Sequence, residues 1–118
     1  LAIDHRLSIR DFTLVNDIAI VKFNGNTTRN FYSFATKYCS HHLPEHYPIY
    51  DNYLEKMLMH FKRKDKFFKF KKDELKIYPK YIEVLTQFRN SYGLEDFSLK
   101  DIDRYLWQAG KECFPRKY

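Results

Sequence analysis

Glycine and proline are scarce, with three and four positions in 118 residues. A turn-rich β fold uses far more of both, so their scarcity favours long helices. Cysteine is limited to Cys39 and Cys113, far apart and outside any CxxC spacing, which excludes a disulfide framework. Both fall at apolar-facing positions and are expected to be buried, reduced thiols. No apolar run approaches the ~20 residues of a membrane span. Mean hydropathy is −0.63, and no basic-plus-apolar start resembles a secretory signal. The expectation is a soluble, cytoplasmic protein with no membrane association. P-loop, Rossmann glycine pattern, nucleophile elbow and HExxH are missing too. ATP-dependent and common hydrolase chemistries therefore have no support, and no cofactor is expected.

What is abundant is aromatic and basic. Eleven Phe and ten Tyr put aromatics at 19% of the chain, which lets a small core bury much area per residue. Lys and Arg outnumber Asp and Glu by 21 to 15, a net charge of +6. That balance points to an acidic partner such as nucleic acid. The chain starts at Leu1 rather than Met. Residues 1–118 are read as one helical domain, either whole or a piece of a longer chain.

Apolar periodicity predicts an all-α fold, an irregular orthogonal bundle of four to five helices, with residues 1–26 the least defined. In Asp11–Val21, Phe12, Val15 and Ala19 stand at helical spacing, while Ile18 to Val21 also suits a short strand. Asn24-Gly25-Asn26 breaks that element. Thr27 or Thr28 then caps a helix whose buried stripe is Phe31, Phe34, Ala35, Tyr38, Cys39 and His42. Leu43-Pro44 ends it. After a loop to Tyr50, Asp51 stands at an N-cap, and Leu54, Met57, Leu58 and Phe61 form the next stripe. Residues 62–72 read as a charged connector. Asp73 and Glu74 suit a helix start, which Pro79 either kinks or restarts. Tyr78, Ile82, Leu85, Phe88 and Tyr92 mark a core face, and Gly93 a stop. Ser98 with Asp101 forms a capping box before the stripe Leu99, Ile102, Leu106 and Ala109, with Gly110 near the end.

The stretch SFATKYCSHHLPEHYPIYD, supported by DRYLWQAGKECFP, resembles a bacterial family of predicted 8-oxoguanine DNA glycosylase-like proteins with the helix-hairpin-helix glycosylase fold. The resemblance covers about half the chain. It implies a DNA-binding domain that removes a damaged base after flipping it from the stack. Asp51, behind a proline-containing turn, matches the family's aspartate, whose carboxylate stabilises sugar cation charge and aligns a water. Ser33 lies near the family's nucleophilic lysine, with Lys37 one turn on as its substitute, and His41 and Tyr50 join Ser33 as substrate-binding candidates. The chain departs from the family at the hairpin, where Arg29-Asn30-Phe31-Tyr32 replaces the glycines that cradle a phosphate. Catalysis is therefore left open beside an alternative: an inactive module of the same fold that binds nucleic acid or protein. Read as plain structure, Asp51 is a helix cap and Lys37 a solvated residue, paired with Asp51 across the loop.

Phe61 to Lys72 holds seven basic residues, four Phe and one acid, Asp65. Lys62, Arg63, Lys64, Lys66, Lys69, Lys71 and Lys72 are candidate nucleic-acid contacts that neutralise phosphate. The Phe residues either stack on unpaired bases or pin the connector to the core. Cys39, His41, His42 and His46 are metal-ligand types in a spacing that matches no zinc pattern, so no metal is expected. Trp107 and the Tyr47–Tyr50–Tyr53 cluster read as packing first, with Tyr50 the most apt to line a pocket.

Overall fold

The computed structural model describes residues 13–23, 27–30 and 32–115. Five α-helices make up most of them: α1 (Thr13–Ala19), α2 (Tyr32–His42), α3 (Asn52–Asp65), α4 (Tyr78–Ser91) and α5 (Leu99–Cys113). Two short antiparallel strands, β1 (Ile20–Phe23) and β2 (Thr27–Asn30), join α1 to α2, with Ile20 opposite Asn30 and Phe23 opposite Thr27. A 3-10 turn, Lys72–Lys76, precedes α4. Among the described residues the fold is all-α apart from that ribbon. α3 packs on α5, α1 on α2, and α4 touches α1, α5 and the 3-10 turn.

The stretch before α2 takes both forms that its residues suit, helix to Ala19 and then strand from Ile20. Thr27 and Thr28 pair in β2 instead of capping α2, because β-branched residues also fit a ribbon. Asp11, Phe12, Asn24, Gly25, Asn26 and Phe31 lie outside the described residues.

Helix ends follow local chemistry. Asp51 Oδ1 accepts from the amides of Tyr53 and Leu54 at 2.9 and 3.1 Å, the N-cap of α3. Ser98 and Asp101 exchange their side-chain bonds at the start of α5. Pro79 sits in the first turn of α4, where its missing N–H is harmless, so it restarts the chain rather than kinking it. Gly93 takes φ +68 just past α4. One cap is tertiary: Asn16 on α1 accepts from the Tyr78 amide and donates to the Lys76 carbonyl. The N-cap residue of α4, Ile77, has no side-chain acceptor to offer, so α1 supplies it.

The core gathers Leu14, Val15, Leu54, Leu58, Leu75, Val84, Leu85, Phe88 and Leu106 around five buried tyrosines, 32, 47, 50, 78 and 81. On α3, Leu54, Met57 and Leu58 are buried as the spacing predicts, with Phe61 packed beside them. On α2 the inward face is rotated. Tyr32, Ala35, Thr36, Cys39 and Ser40 are buried, while Phe34 is 65% exposed and Tyr38 and His42 face outward. Two hydroxyl residues thus displace two aromatics from the interior, for a reason given below. Cys39 is buried, which pushes its thiol up to about 11. Cys113, expected inside, is exposed at the end of α5.

Gly110 does not end α5; it lies buried inside it. A Cβ there would meet Tyr53 Cβ at 2.7 Å and Tyr53 O at 2.9 Å, so the absent side chain lets α5 close against the first turn of α3. Gly110→Ala is expected to lower stability by about 1–3 kcal/mol, although the same change on a free helix surface stabilises. Urea denaturation checks the sign. A midpoint that rises would show that the two helices are not held this close.

Candidate functional site

The helix–loop–helix corner between α2 and α3 is built on a buried irregular segment, Tyr47 to Tyr50. Such a segment must find partners for backbone groups that no helix or sheet satisfies. Three helices supply them. From α4, the Tyr78 hydroxyl donates to Pro48 O at 2.6 Å and the Tyr81 hydroxyl to Ile49 O at 2.7 Å. From α5, Asp103 Oδ2 accepts from the Ile49 amide at 2.7 Å. From α2, Thr36 Oγ1 accepts from the Tyr50 amide at 2.9 Å, and the Ser33 hydroxyl donates to Tyr50 O at 2.9 Å. This explains the rotated face of α2: Thr36 faces inward to hold the loop, and Ser40, one turn on, accepts from Lys100.

Asp103 is 1% exposed and forms an ion pair with Lys100, 3.2 Å away, whose ammonium also donates to Ser40 Oγ at 2.8 Å. Burial raises the Asp103 carboxyl above its usual range, against the pull of the Ile49 amide and Lys100. Because the folded state then holds this proton more tightly than the unfolded chain, its contribution weakens as pH rises from the ordinary carboxyl value through the raised one. Hydropathy hid both residues, since a Lys and an Asp on a core stripe read as surface. The available signal was their i, i+3 spacing in phase with Leu99, Ile102 and Leu106.

The predicted catalytic residues take plain places in this joint. Asp51, half-buried, is spent on the N-cap of α3. Lys37 is exposed and makes no ion pair with Asp51 among the described residues. Ser33 bonds the Tyr50 carbonyl, and His41 is exposed, its ring against His42. Tyr50 is 4% exposed, ring to ring with Tyr32 and Tyr81, and burial raises its hydroxyl pKa, with Glu55 adding to the shift. Neither Asp51 nor Lys37 lines any of the three grooves formed beside α3. Among the described residues, no three His, Cys, Asp or Glu side chains converge on a metal position.

The basic stretch is organised differently from a free connector. α3 continues to Asp65, so Lys62, Arg63 and Lys64 are its last turn, and Lys66 caps it in the left-handed region at φ 49. Three of the phenylalanines are pinned. Phe61 and Phe67 stand edge-on to Phe88, and Phe70 is 2% exposed. The Lys62 ammonium donates to the Phe70 carbonyl and lies 5.0 Å from that ring. The Tyr92 hydroxyl donates to Asp65, and burial with this bond raises the phenol to about 12. The remaining cations, Arg63, Lys64, Lys66, Lys69, Lys71 and Lys72, are exposed. Met59, Phe68, Lys62, Arg63, Lys66 and Lys69 line a groove of about 410 Å³. Met59 was not singled out by sequence, and its only signal is that it stands three residues before Lys62, on the same side of α3.

A second groove, about 510 Å³, is almost wholly apolar and lies between α3, the end of α4 and α5, with Phe61, Phe97 and Tyr105 in its wall. Trp107 is half-buried with the Lys111 ammonium 4.2 Å from its ring centre.

The family model HI_0787_N, described as an N-terminal domain, matches residues 1–46. An uncharacterized protein of Haemophilus influenzae is 47% identical over 114 residues, which cover 97% of this chain and 53% of that protein. The chain thus spans about half the length of the curated relative it matches. No solved structure matches. These findings overturn the resemblance to DNA glycosylases. The likeness to the Haemophilus protein takes in nearly the whole chain, and none of the matches is to a glycosylase. Two features behind the resemblance, a proline turn and an aspartate opening a helix, also serve a buried helix–loop–helix joint.

Two predictions test the joint. Thr36→Val keeps the shape but orphans the Tyr50 amide, and is expected to lower stability by about 1–3 kcal/mol. Asp103→Ala, which also strands the Lys100 charge, should cost about 3–5 kcal/mol; thermal denaturation ranks the two, and the reverse order would contradict the ion pair's burial. The pH limit follows from the tyrosines. Burial raises the Tyr32, Tyr50, Tyr78 and Tyr81 hydroxyls above 10. Between the unfolded value near 10 and these raised values the folded state binds more protons, so stability falls as pH climbs past 10. Tyrosine absorbance should therefore titrate in two steps, the second coinciding with loss of helical circular dichroism. A single reversible step with intact helix would refute the buried cluster.

Proposed function

We propose that this chain is a nucleic-acid-binding module, DNA being the first ligand to test, and that it grips the phosphate backbone through residues 62–72. One observation carries the reading. Residues 61–72 hold seven basic side chains against one acidic, so they contain the whole excess of +6, while the other 106 residues balance 14 against 14. Six of the seven cations are exposed, a field of one sign on an otherwise neutral surface. Such a patch attracts a polyanion and releases its counterions on contact.

The cap at Lys66 adds support. A left-handed helix cap favours glycine, and a lysine there carries a backbone cost of roughly 1–2 kcal/mol. Residues that depart from the locally stable choice concentrate at functional positions. At this position the departure sets a cation along the groove.

Fluorescence anisotropy of a labelled oligonucleotide, titrated over a range of salt, tests the reading. Affinity should fall steeply with salt, and Arg63→Gln, Lys66→Gln and Lys69→Gln should each reduce the slope by about one unit. Lys62→Gln should leave the slope nearly unchanged, since that ammonium is bonded to Phe70 O. Lys66→Gly is expected to raise stability by up to ~1 kcal/mol while weakening binding. Absence of binding at low salt, or binding indifferent to salt, would sink the proposal.

A further inference from the structure

The groove that Lys62, Arg63, Lys66 and Lys69 line is also lined by Met59 and Phe68. Phosphate needs cations and hydrogen-bond donors, not a thioether and a phenyl ring, so backbone contact alone leaves these two side chains without a partner. Phe68 differs from its neighbours in this respect. Phe61 and Phe67 pack on Phe88 and Phe70 is buried; Phe68, half-buried like Phe61 and Phe67, is the one of the four that lines this groove. Its ring stacks on Phe70 at 6.4 Å and 27°, and the Lys80 ammonium lies over it, 5.4 Å from its centre. These contacts hold the ring in place at the groove.

Duplex nucleic acid shows its phosphates outward and hides its base faces in the stack, whereas a single strand exposes both. We infer that the groove takes an unpaired nucleotide of a single strand, its base against Phe68 and Met59 and its flanking phosphates on Arg63, Lys66 and Lys69. The inference rests on the nucleic-acid reading above and narrows it to strand type. A strand, rather than a lone nucleotide, matches the further exposed cations of the same stretch, Lys71 and Lys72. Stacking of this sort tolerates any base, because every base has a π face. Selectivity should therefore be for single strands and not for a sequence.

The test uses three labelled ligands of equal length in the whole chain's binding assay: oligothymidylate, the same backbone made abasic throughout, and a duplex. The expected result is about tenfold or greater preference for oligothymidylate over the abasic strand, and weaker binding of the duplex at matched salt. Phe68→Leu, which keeps a packed side chain over Phe70, should erase most of that preference while leaving the salt slope intact. If this variant unfolds, Met59→Gln in the same groove provides the second reading. Equal affinity for the base-bearing and abasic strands, or a duplex bound as tightly, would overturn the single-strand inference yet leave salt-dependent phosphate binding standing. Failure of all three ligands to bind at low salt would instead remove the nucleic-acid reading itself.

Discussion

The segment Tyr47 to Tyr50 is the piece on which the other parts converge. It runs through the interior with no ladder or helix of its own, so each backbone group inside must be answered from elsewhere. The answers come from Ser33 and Thr36 on α2, Tyr78 and Tyr81 on α4, and Asp103 on α5. Those bonds fix how three helices sit around one strand of loop. Leaving any one group unmet costs about 1–3 kcal/mol in a buried setting, a large share of a small domain's net stability. The loop is therefore less a connection than a shared ligand for the helices, and α3 enters the core at the angle its last residue permits.

The rest of the molecule separates two tasks. On the corner side, the polar side chains of Ser33, Thr36, Tyr78, Tyr81 and Asp103 are bonded to the backbone of the loop. On the other side, at the end of α3, aromatic rings anchor the chain and cations are left to solvent. Phe61, Phe67, Phe88 and Tyr92 form a continuous set of edge contacts, so the basic stretch is held against the core although its charges repel. Lys62 shows the division within one side chain: its ammonium is bonded inward to Phe70 while its neighbours on the same turn are exposed.

Resemblance misled where short polar motifs have more than one use. A proline turn leading to an aspartate serves a glycosylase, and it serves equally to start a helix after a buried loop. The first needs a cavity beside the carboxylate, and Asp51 instead gives its oxygen to two amides of its own helix. Nearly the whole chain resembles a longer Haemophilus protein, and its first 46 residues a family's N-terminal domain.

Local chemistry alone narrowed the count to four or five helices and determined the caps at Asp51 and Ser98, the stop at Gly93, the inward faces of α3 and α4 in outline, and the single basic stretch. Each depends on residues within a turn or two of each other, or on composition, and both are written along the chain. Tertiary structure decided which way α2 faces, where the charges of Lys100 and Asp103 go, that Asn16 caps a helix 62 residues away, and that Gly110 is a contact and not a stop. Hydropathy assigns Thr36, Ser40, Lys100 and Asp103 to water. Thr36 and Asp103 lie inside because a buried loop needs hydrogen-bond partners, and Lys100 and Ser40 because the buried Asp103 charge needs a counter-ion that is itself bonded; both needs exist only once distant segments have been brought together.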